Sequence, residues 1–179
     1  MTTELKPAFP APARPASRAA PPPLQTGDVL TRHEFERRYE AMPDKKAELI
    51  EGVVYMTSPV RLDLHARPHG QMVILTGNYA VNTPGVDLAD NVSFAVDIEN
   101  EVQPDVMLRL ESSGHSRMNA KGLVEGAPEL IVEIGASSVS YDLHAKKRLY
   151  RRAGVQEYGV WRVNDDRLDW FELREDEYA

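Results

Sequence analysis

The chain contains no cysteine among its 179 residues, and this absence excludes several kinds of site. Without thiols there is no disulfide, no zinc site built from thiolates and no cysteine nucleophile. Carboxylates and imidazoles remain as strong metal ligands, so any bound metal should be hard or borderline in character. The sequence also lacks a P-loop, a dinucleotide-binding glycine pattern and a glycine-flanked serine nucleophile.

Long apolar runs are missing as well. No segment approaches the roughly 18 apolar residues that are needed to span a bilayer. The N-terminus shows no basic region followed by an apolar run, which a signal peptide would have. The sequence therefore predicts a cytoplasmic location and no membrane partner.

Basic residues are in deficit, because 21 Lys and Arg stand against 28 Asp and Glu and give a formal net charge of −7. Nonspecific affinity for nucleic acid comes mainly from Lys and Arg that displace counterions. This balance predicts weak binding unless positive charge is concentrated on one face. One local basic cluster comprises Lys146, Lys147, Arg148, Arg151 and Arg152.

Composition divides the chain into two parts. Residues 1–27 contain a stretch rich in Pro and Ala, with too few branched and aromatic side chains to offset the entropy of ordering. We expect this part to be a disordered tail. Residues 28–179 have the length and apolar content of one globular domain.

Helix and strand signals alternate along this domain and predict an α/β fold. The pattern from Thr31 to Glu34 is a capping box, which predicts a helix that ends near Pro43. Apolar spacing predicts a second helix after Pro68 and a third over residues 142–153. Strands are predicted at 48–56 (a hairpin), 86–89, 92–96, 103–108, 130–134, 157–163 and 167–173, with a loop at 111–126.

Two carboxylates lie on neighbouring predicted strands. Asp105 lies near the start of one strand, and Glu133 lies inside the apolar run 130–134. Mg²⁺ prefers oxygen ligands and usually takes only one or two protein carboxylates, so this pair predicts a Mg²⁺ or Mn²⁺ site. The pattern leaves an alternative open, in which Asp105 caps a turn and Glu133 pairs with a basic group.

Lys146 lies on the helix that follows the Glu133 strand. Its side chain could return toward the carboxylates and hold a water or stabilise charge on a phosphate. Asp142 and Lys146 share one helical face, so a surface ion pair between them is the open alternative. His65 and His69 are four residues apart, but the intervening proline and the lack of a Glu after the first His disfavour zinc catalysis.

Several segments, in their order and spacing, resemble a known family. They are Glu48-Leu49-Ile50-Glu51-Gly52, Gln103-Pro104-Asp105, residues 128–134 (PELIVEI), Lys146 with Tyr150, and residues 153–158 (AGVQEY). This set resembles the large bacterial "putative restriction endonuclease" family of the PD-(D/E)XK nuclease superfamily. The resemblance runs from about Thr31 to the C-terminus.

The resemblance implies a restriction-endonuclease-like core, an α/β (α+β) fold in which a central mixed β-sheet is flanked by helices. It implies that Asp105 and Glu133 bind the metal, that the Ile134 carbonyl is a third ligand, and that Glu48 is a further acid near the first hairpin. The superfamily has a lysine two residues after the second acid, where this chain has Gly135. In this family a helix lysine is thought to substitute, and the matching position is Lys146.

The leading functional prediction is a Mg²⁺-dependent (or Mn²⁺-dependent) endonuclease that hydrolyses DNA, with Glu48, Asp105, Glu133 and Lys146 as catalytic residues. Cutting a duplex would favour a homodimer. The acidic balance and the missing lysine motivate a second hypothesis, a catalytically inactive binding or regulatory module with the nuclease fold. A third class is a metal hydrolase that acts on a small phosphate ester.

Overall fold

The computed structural model describes residues 20–56 and 61–179. The predicted tail therefore lies largely outside the described residues, and the division at residue 27 stays a prediction.

Leu24 is buried and packs against Phe35, Ala47 and Val54, and the Gly27 amide donates a hydrogen bond to the Val54 carbonyl. We therefore propose that the packed domain begins at Leu24, a few residues before the predicted boundary.

The first helix is shorter than predicted. Helix α1 spans Arg32–Tyr39 and buries Phe35. Thr31 stands at its N-cap without a side-chain hydrogen bond, so the predicted capping box does not form. The Glu34 carboxylate instead accepts hydrogen bonds of 2.7 Å from Arg37 and Arg38, since these guanidinium groups compete successfully for its oxygens.

The described residues form twelve strands. In chain order they are β1 Ala47–Ile50, β2 Val53–Met56, β3 Val86–Asp90, β4 Phe94–Ala95, β5 Glu101–Val102, β6 Val106–Leu110, β7 Arg117–Met118, β8 Val124–Glu125, β9 Leu130–Gly135, β10 Glu157–Arg162, β11 Arg167–Arg174 and β12 Glu177–Tyr178. Within the described ranges they form two sheets. The first has the order β2-β1-β5-β4-β8-β7, and the second has the order β12-β11-β10-β9-β6-β3.

Both sheets are mixed. In the first sheet, β4 pairs with β8 in parallel. In the second sheet, β9 pairs with β10 in parallel, and this is the pairing that the strand–helix–strand order predicts. The β1–β2 hairpin also forms as predicted, with Glu51 and Gly52 at positive φ in its turn. The predicted mixed α/β (α+β) fold with flanking helices is confirmed, and its strands divide between two sheets.

Two strand predictions are wrong in detail. The strand predicted at 103–108 instead runs from Val106 to Leu110, because residues 103–105 connect β5 of the first sheet to β6 of the second. Pro104 lies in the break, where a residue without an amide hydrogen costs no ladder hydrogen bond. The predicted loop at 111–126 contains β7 and β8, which pair with each other as two-residue strands too short to show a sequence period.

Two helical segments pack against these sheets. Helix α2, Arg67–Asn82, follows a π-helical turn at Leu62–Ala66, and Pro68 lies in its first turn, where the missing amide has no helical partner. The later segment comprises α3 Val139–Tyr141, a π turn at Asp142–Lys146 and α4 Lys147–Ala153, and ends at Gly154 with φ 85° as predicted. Among the described helices, none has the length and apolar character to cross a bilayer. The cytoplasmic location stays a prediction.

Candidate active site

Glu48 is held at the junction of the two sheets by backbone and side-chain contacts. It lies on β1 and is buried. Its Oε1 accepts a 2.8 Å hydrogen bond from the main-chain amide of Gln103 and a 3.0 Å hydrogen bond from the Lys146 ammonium. The hairpin acid predicted from sequence therefore lies within reach of the helix lysine.

Asp105 occupies the break between β5 and β6 and points toward β9. Its Oδ2 accepts a 2.8 Å hydrogen bond from the Ile134 amide. Val106 pairs with Val132 in the antiparallel β6–β9 ladder, so extending this register by one residue places Asp105 beside Glu133. The contact from Ile134 to Asp105 uses its amide nitrogen, and the role of its carbonyl as a metal ligand stays a prediction.

Glu133 lies on β9, which is buried along most of its length. Its Oε1 accepts a 3.0 Å hydrogen bond from the Lys146 ammonium and a 2.7 Å hydrogen bond from the Tyr150 hydroxyl. Oε2 takes part in neither bond. Lys146 lies in the π turn, and such turns often re-aim side chains at functional sites. The alternative of a surface ion pair between Lys146 and Asp142 is wrong, because the Lys146 ammonium is buried between Glu48 and Glu133.

The charges of this cluster do not balance. Four carboxylates in it are at most 7% exposed, namely those of Glu48, Asp105, Glu133 and Asp142. Lys146 is the one buried ammonium beside them in the described part of the chain. Several carboxylates buried with a single cation are unfavourable unless further positive charge or protons are supplied.

Burial and the unbalanced charge raise the pKa values of two of these acids. Burial, with repulsion from Asp105, Asp142 and Glu48, raises the pKa of Glu133 to about 8 despite the attraction of Lys146. Burial likewise raises the pKa of Asp142 to about 6. Burial works to lower the pKa of Lys146, but Glu133 and Glu48 raise it well above its ordinary value. The ammonium therefore keeps its proton while Glu133 holds one near neutral pH.

Gly135 stands where the resemblance would place a lysine, and its surroundings leave little room for a side chain. A Cβ atom there would lie 2.9 Å from Asp142 Oδ2 and 3.0 Å from Val139 Cγ2. Asp142 is buried, and Ser138 Oγ donates a 2.7 Å hydrogen bond to the same Oδ2, so this carboxylate cannot easily move aside. The helix after β9 thus occupies the space that a lysine at residue 135 would need, and Lys146 reaches Glu133 from that helix.

Two further groups approach the Asp105 carboxylate, and a third contacts the Asp105 main chain. His65 Nε2 lies 3.2 Å and Lys46 Nζ 4.0 Å from its Oδ1. His69 Nε2 lies 3.0 Å from the Asp105 carbonyl and 2.8 Å from Asp90 Oδ1. The sequence disfavoured a zinc site at these two histidines, because Pro68 disturbs their spacing, and favoured a helix-capping or substrate-facing role for one of them, but it did not predict their contacts with Asp105. It also missed Lys46, although the alternation of strand residues places this lysine on the same side as Glu48.

The donor set fits a hard divalent cation held by few protein ligands. The described residues contain no group of three or more His, Asp or Glu side chains arranged around one metal position. Mg²⁺, however, needs only one or two protein carboxylates, because waters supply its other ligands. Glu133 Oε2 is not used in the hydrogen bonds to Lys146 and Tyr150, and Asp105 Oδ1 is not used in the hydrogen bond to Ile134 but faces His65 and Lys46, so a cation there would replace their contacts.

The basic cluster of residues 146–152 does not form a free positive surface. Lys146 is buried, and Lys147 Nζ lies 3.4 Å above the Phe171 ring. Arg148 and Arg152 both face Glu51, and Arg151 pairs with Glu177. Four of the five basic residues therefore contact acids, although Arg148 and Arg152 share the one carboxylate of Glu51.

The chain matches one protein family over most of its length. The model of the Uma2 family, described as "Putative restriction endonuclease", matches residues 32–179. The chain belongs to the Uma2 family. The match spans α1 and both sheets, so it includes every acid of the cluster and Lys146.

A solved structure shares the fold of this Uma2 member. It is the crystal structure of a "putative nuclease belonging to DUF820" from Anabaena variabilis ATCC 29413, with 14% sequence identity and a TM-score of 0.57. The likeness covers 79% of this chain and 80% of that one, and at this identity it shows the fold alone. No curated protein matches the chain at a significant level.

Proposed function

We propose that the chain is a Mg²⁺- or Mn²⁺-dependent endonuclease that hydrolyses phosphodiester bonds of DNA. The observation that carries the proposal is the excess of buried carboxylates over the one buried ammonium of Lys146. A divalent cation would relieve that excess, and the family and its nuclease fold agree with such a site. DNA as the substrate and Mg²⁺ as the cofactor belong to the proposal.

Asp105 and Glu133 would hold the cation, with the Ile134 carbonyl as a third ligand. When bound, the cation would polarise a phosphoryl oxygen and lower the pKa of the attacking water. Because Glu133 holds a proton near neutral pH, it must lose that proton before it can bind a cation. Binding should therefore strengthen as the pH rises toward about 8.

Lys146 would act as a fixed positive charge and hydrogen-bond donor. Its raised pKa keeps it protonated, so it would orient the water or stabilise charge on the phosphate without acting as a base. Glu48 would hold this ammonium in place through the 3.0 Å contact and assist the water network. The Tyr150 hydroxyl would orient the Glu133 carboxylate.

The test is metal-dependent cleavage of plasmid DNA and of single-stranded oligonucleotides by the purified protein. We expect cleavage with Mg²⁺ or Mn²⁺, loss of cleavage in Asp105→Asn, and retention in the control Asp87→Asn. Asp87 lies in the same sheet but pairs with Arg109 away from the cluster. No metal-dependent cleavage of any DNA by the folded protein, or equal cleavage by Asp105→Asn, would contradict the proposal.

We also propose a homodimer, because two active sites are needed to cut both strands of a duplex in one encounter. Analytical ultracentrifugation tests it. A monomer at concentrations that give double-strand cleavage would exclude this part of the proposal.

A second candidate is an inactive binding or regulatory module. Gly135 at the usual lysine position and the neutralised basic cluster favour it. It predicts that the folded wild type leaves both DNA and a small ester such as p-nitrophenyl phosphate intact. Hydrolysis of the small ester alone would instead support the third class, a phosphate-ester hydrolase.

A further inference from the structure

A cavity of about 570 Å³ lies between α1 and the first sheet, away from the carboxylate cluster. Its lining includes Tyr39, Met42, Pro43 and Leu123, which supply apolar walls, and Glu101 on β5. Glu48, Asp105, Glu133 and Lys146 do not line it. The cavity is therefore separate from the proposed catalytic centre.

Glu101 is the unusual group in this cavity. It is only 3% exposed, and its Oε2 has no hydrogen-bond partner among the described residues. A buried acceptor without a donor costs free energy, and a ligand that supplies a donor would recover it. Burial, together with repulsion from Glu36, raises the pKa of Glu101 to about 7, against the opposing effects of Arg32, Lys121 and Ser93.

The positive groups nearest to Glu101 are bound to other acids. Lys121 Nζ lies 2.6 Å from Glu36 Oε2 and 3.5 Å from Glu40 Oε1, and Arg32 Nε lies 3.2 Å from Glu36 Oε1. Among the described residues neither Arg32 nor Lys121 forms an ion pair with Glu101, because both pair with Glu36, so ionised Glu101 keeps a negative charge without a direct cationic partner. The complementary ligand is a hydrogen-bond donor that carries positive charge and has an apolar body.

We propose that this cavity binds a small free organic cation, an amidinium, guanidinium or primary amine on an apolar body, with Glu101 as its anionic partner. The planar amidinium and guanidinium groups match a carboxylate with two parallel hydrogen bonds. The aromatic and aliphatic walls cover the apolar body. This site is independent of the nuclease activity, because none of the proposed catalytic residues contributes to it.

The test compares benzamidine with benzamide, which is similar in shape and uncharged, by calorimetry on the full chain. We expect benzamidine to bind at least about tenfold more tightly than benzamide, and Glu101→Gln to lose that preference. Leu88→Ala serves as a control at a site outside the cavity, and it should leave the preference unchanged. Equal affinity for the two compounds, or an unchanged preference in Glu101→Gln, would overturn the proposal.

Measurements on the wild type alone remain decisive if Glu101→Gln does not fold. Glu101 must be ionised to pair with the cation, so benzamidine affinity should rise between about pH 6 and pH 8 while benzamide affinity stays constant. Agmatine and a capped arginine tripeptide carry the same guanidinium group. Tighter binding of agmatine supports a free small cation, whereas tighter binding of the peptide overturns it in favour of a protein partner's side chain.

Discussion

Replacement of Lys146 by methionine would remove the one buried ammonium beside the acid cluster in the described structure. Its Nζ lies 3.0 Å from both Glu48 Oε1 and Glu133 Oε1, so the variant leaves both carboxylates without their shared cation. Breaking a buried ion pair in this way typically costs about 3–5 kcal/mol of unfolding free energy. For a domain of this size, that cost corresponds to a Tm lower by about 6–20 °C.

The loss should depend on pH. Glu133 has a pKa of about 8, so it is ionised and needs Lys146 most above that value. Without Lys146, whose attraction lowers the Glu133 pKa, that pKa rises further and the carboxyl stays protonated over a wider range. We therefore expect the largest destabilisation near pH 9 and a smaller one near pH 6.

The assay is thermal and urea unfolding in the presence of a chelator, so that no metal contributes. Lys147→Met is the matched control, because the ammonium of this neighbouring lysine contacts the Phe171 ring on β11 rather than an acid of the cluster. Its loss should cost only about 0.5–1 kcal/mol, typical of an exposed cation–π contact. Equal stability losses for the two variants, or a loss at Lys146 that does not change with pH, would refute the reasoning.

Three further outcomes follow from the same contacts. The metal-free protein should lose stability as pH rises from about 4.5 to 8, because Glu133 and Glu101 have folded pKa values above their ordinary 4.5 and bind protons more tightly when folded. Urea titrations across this range measure the fall. Glu101→Gln should remove only the share that belongs to Glu101, roughly 3 kcal/mol, which is complete near pH 7, while the share of Glu133 remains. Gly135→Ala should destabilise by about 1–3 kcal/mol, since its Cβ would lie 2.9 Å from Asp142 Oδ2. The control Gly70→Ala, in open space on α2, should instead gain about 0.4–1 kcal/mol, and a stabilised Gly135→Ala would contradict the packing argument.

Local sequence signals predicted the elements whose ends are encoded by turn chemistry. The β1–β2 hairpin depends on Glu51-Gly52, and the end of α4 depends on Gly154 in the left-handed conformation. The assignment of β5 and β6 to different sheets could not be predicted, because it depends on long-range pairing rather than on the residues 101–110 themselves.

The candidate site was predictable in its acids and not in its environment. Glu133 attracts notice because it is a charge within an apolar strand. The predicted strand and helix order adds Asp105 and Lys146, and the family resemblance adds Glu48. The contact of His65 and Lys46 with Asp105 depends on how α2 and β1 pack, which no local pattern reports. Glu101 looks like one acid of a polar turn in the sequence, and only the packing of α1 over β5 makes it a buried group in a cavity.

The central claim is that Asp105 and Glu133 together bind one divalent cation beside the Lys146 ammonium. The most direct measurement is calorimetric titration of Mn²⁺ into the wild type, Asp105→Asn, Glu133→Gln and the control Asp87→Asn at about pH 8. The account predicts one site per chain in the wild type and the control, and a loss of at least about tenfold in affinity in each cluster variant. No Mn²⁺ binding by the folded wild type, or unchanged binding by both Asp105→Asn and Glu133→Gln, would contradict it.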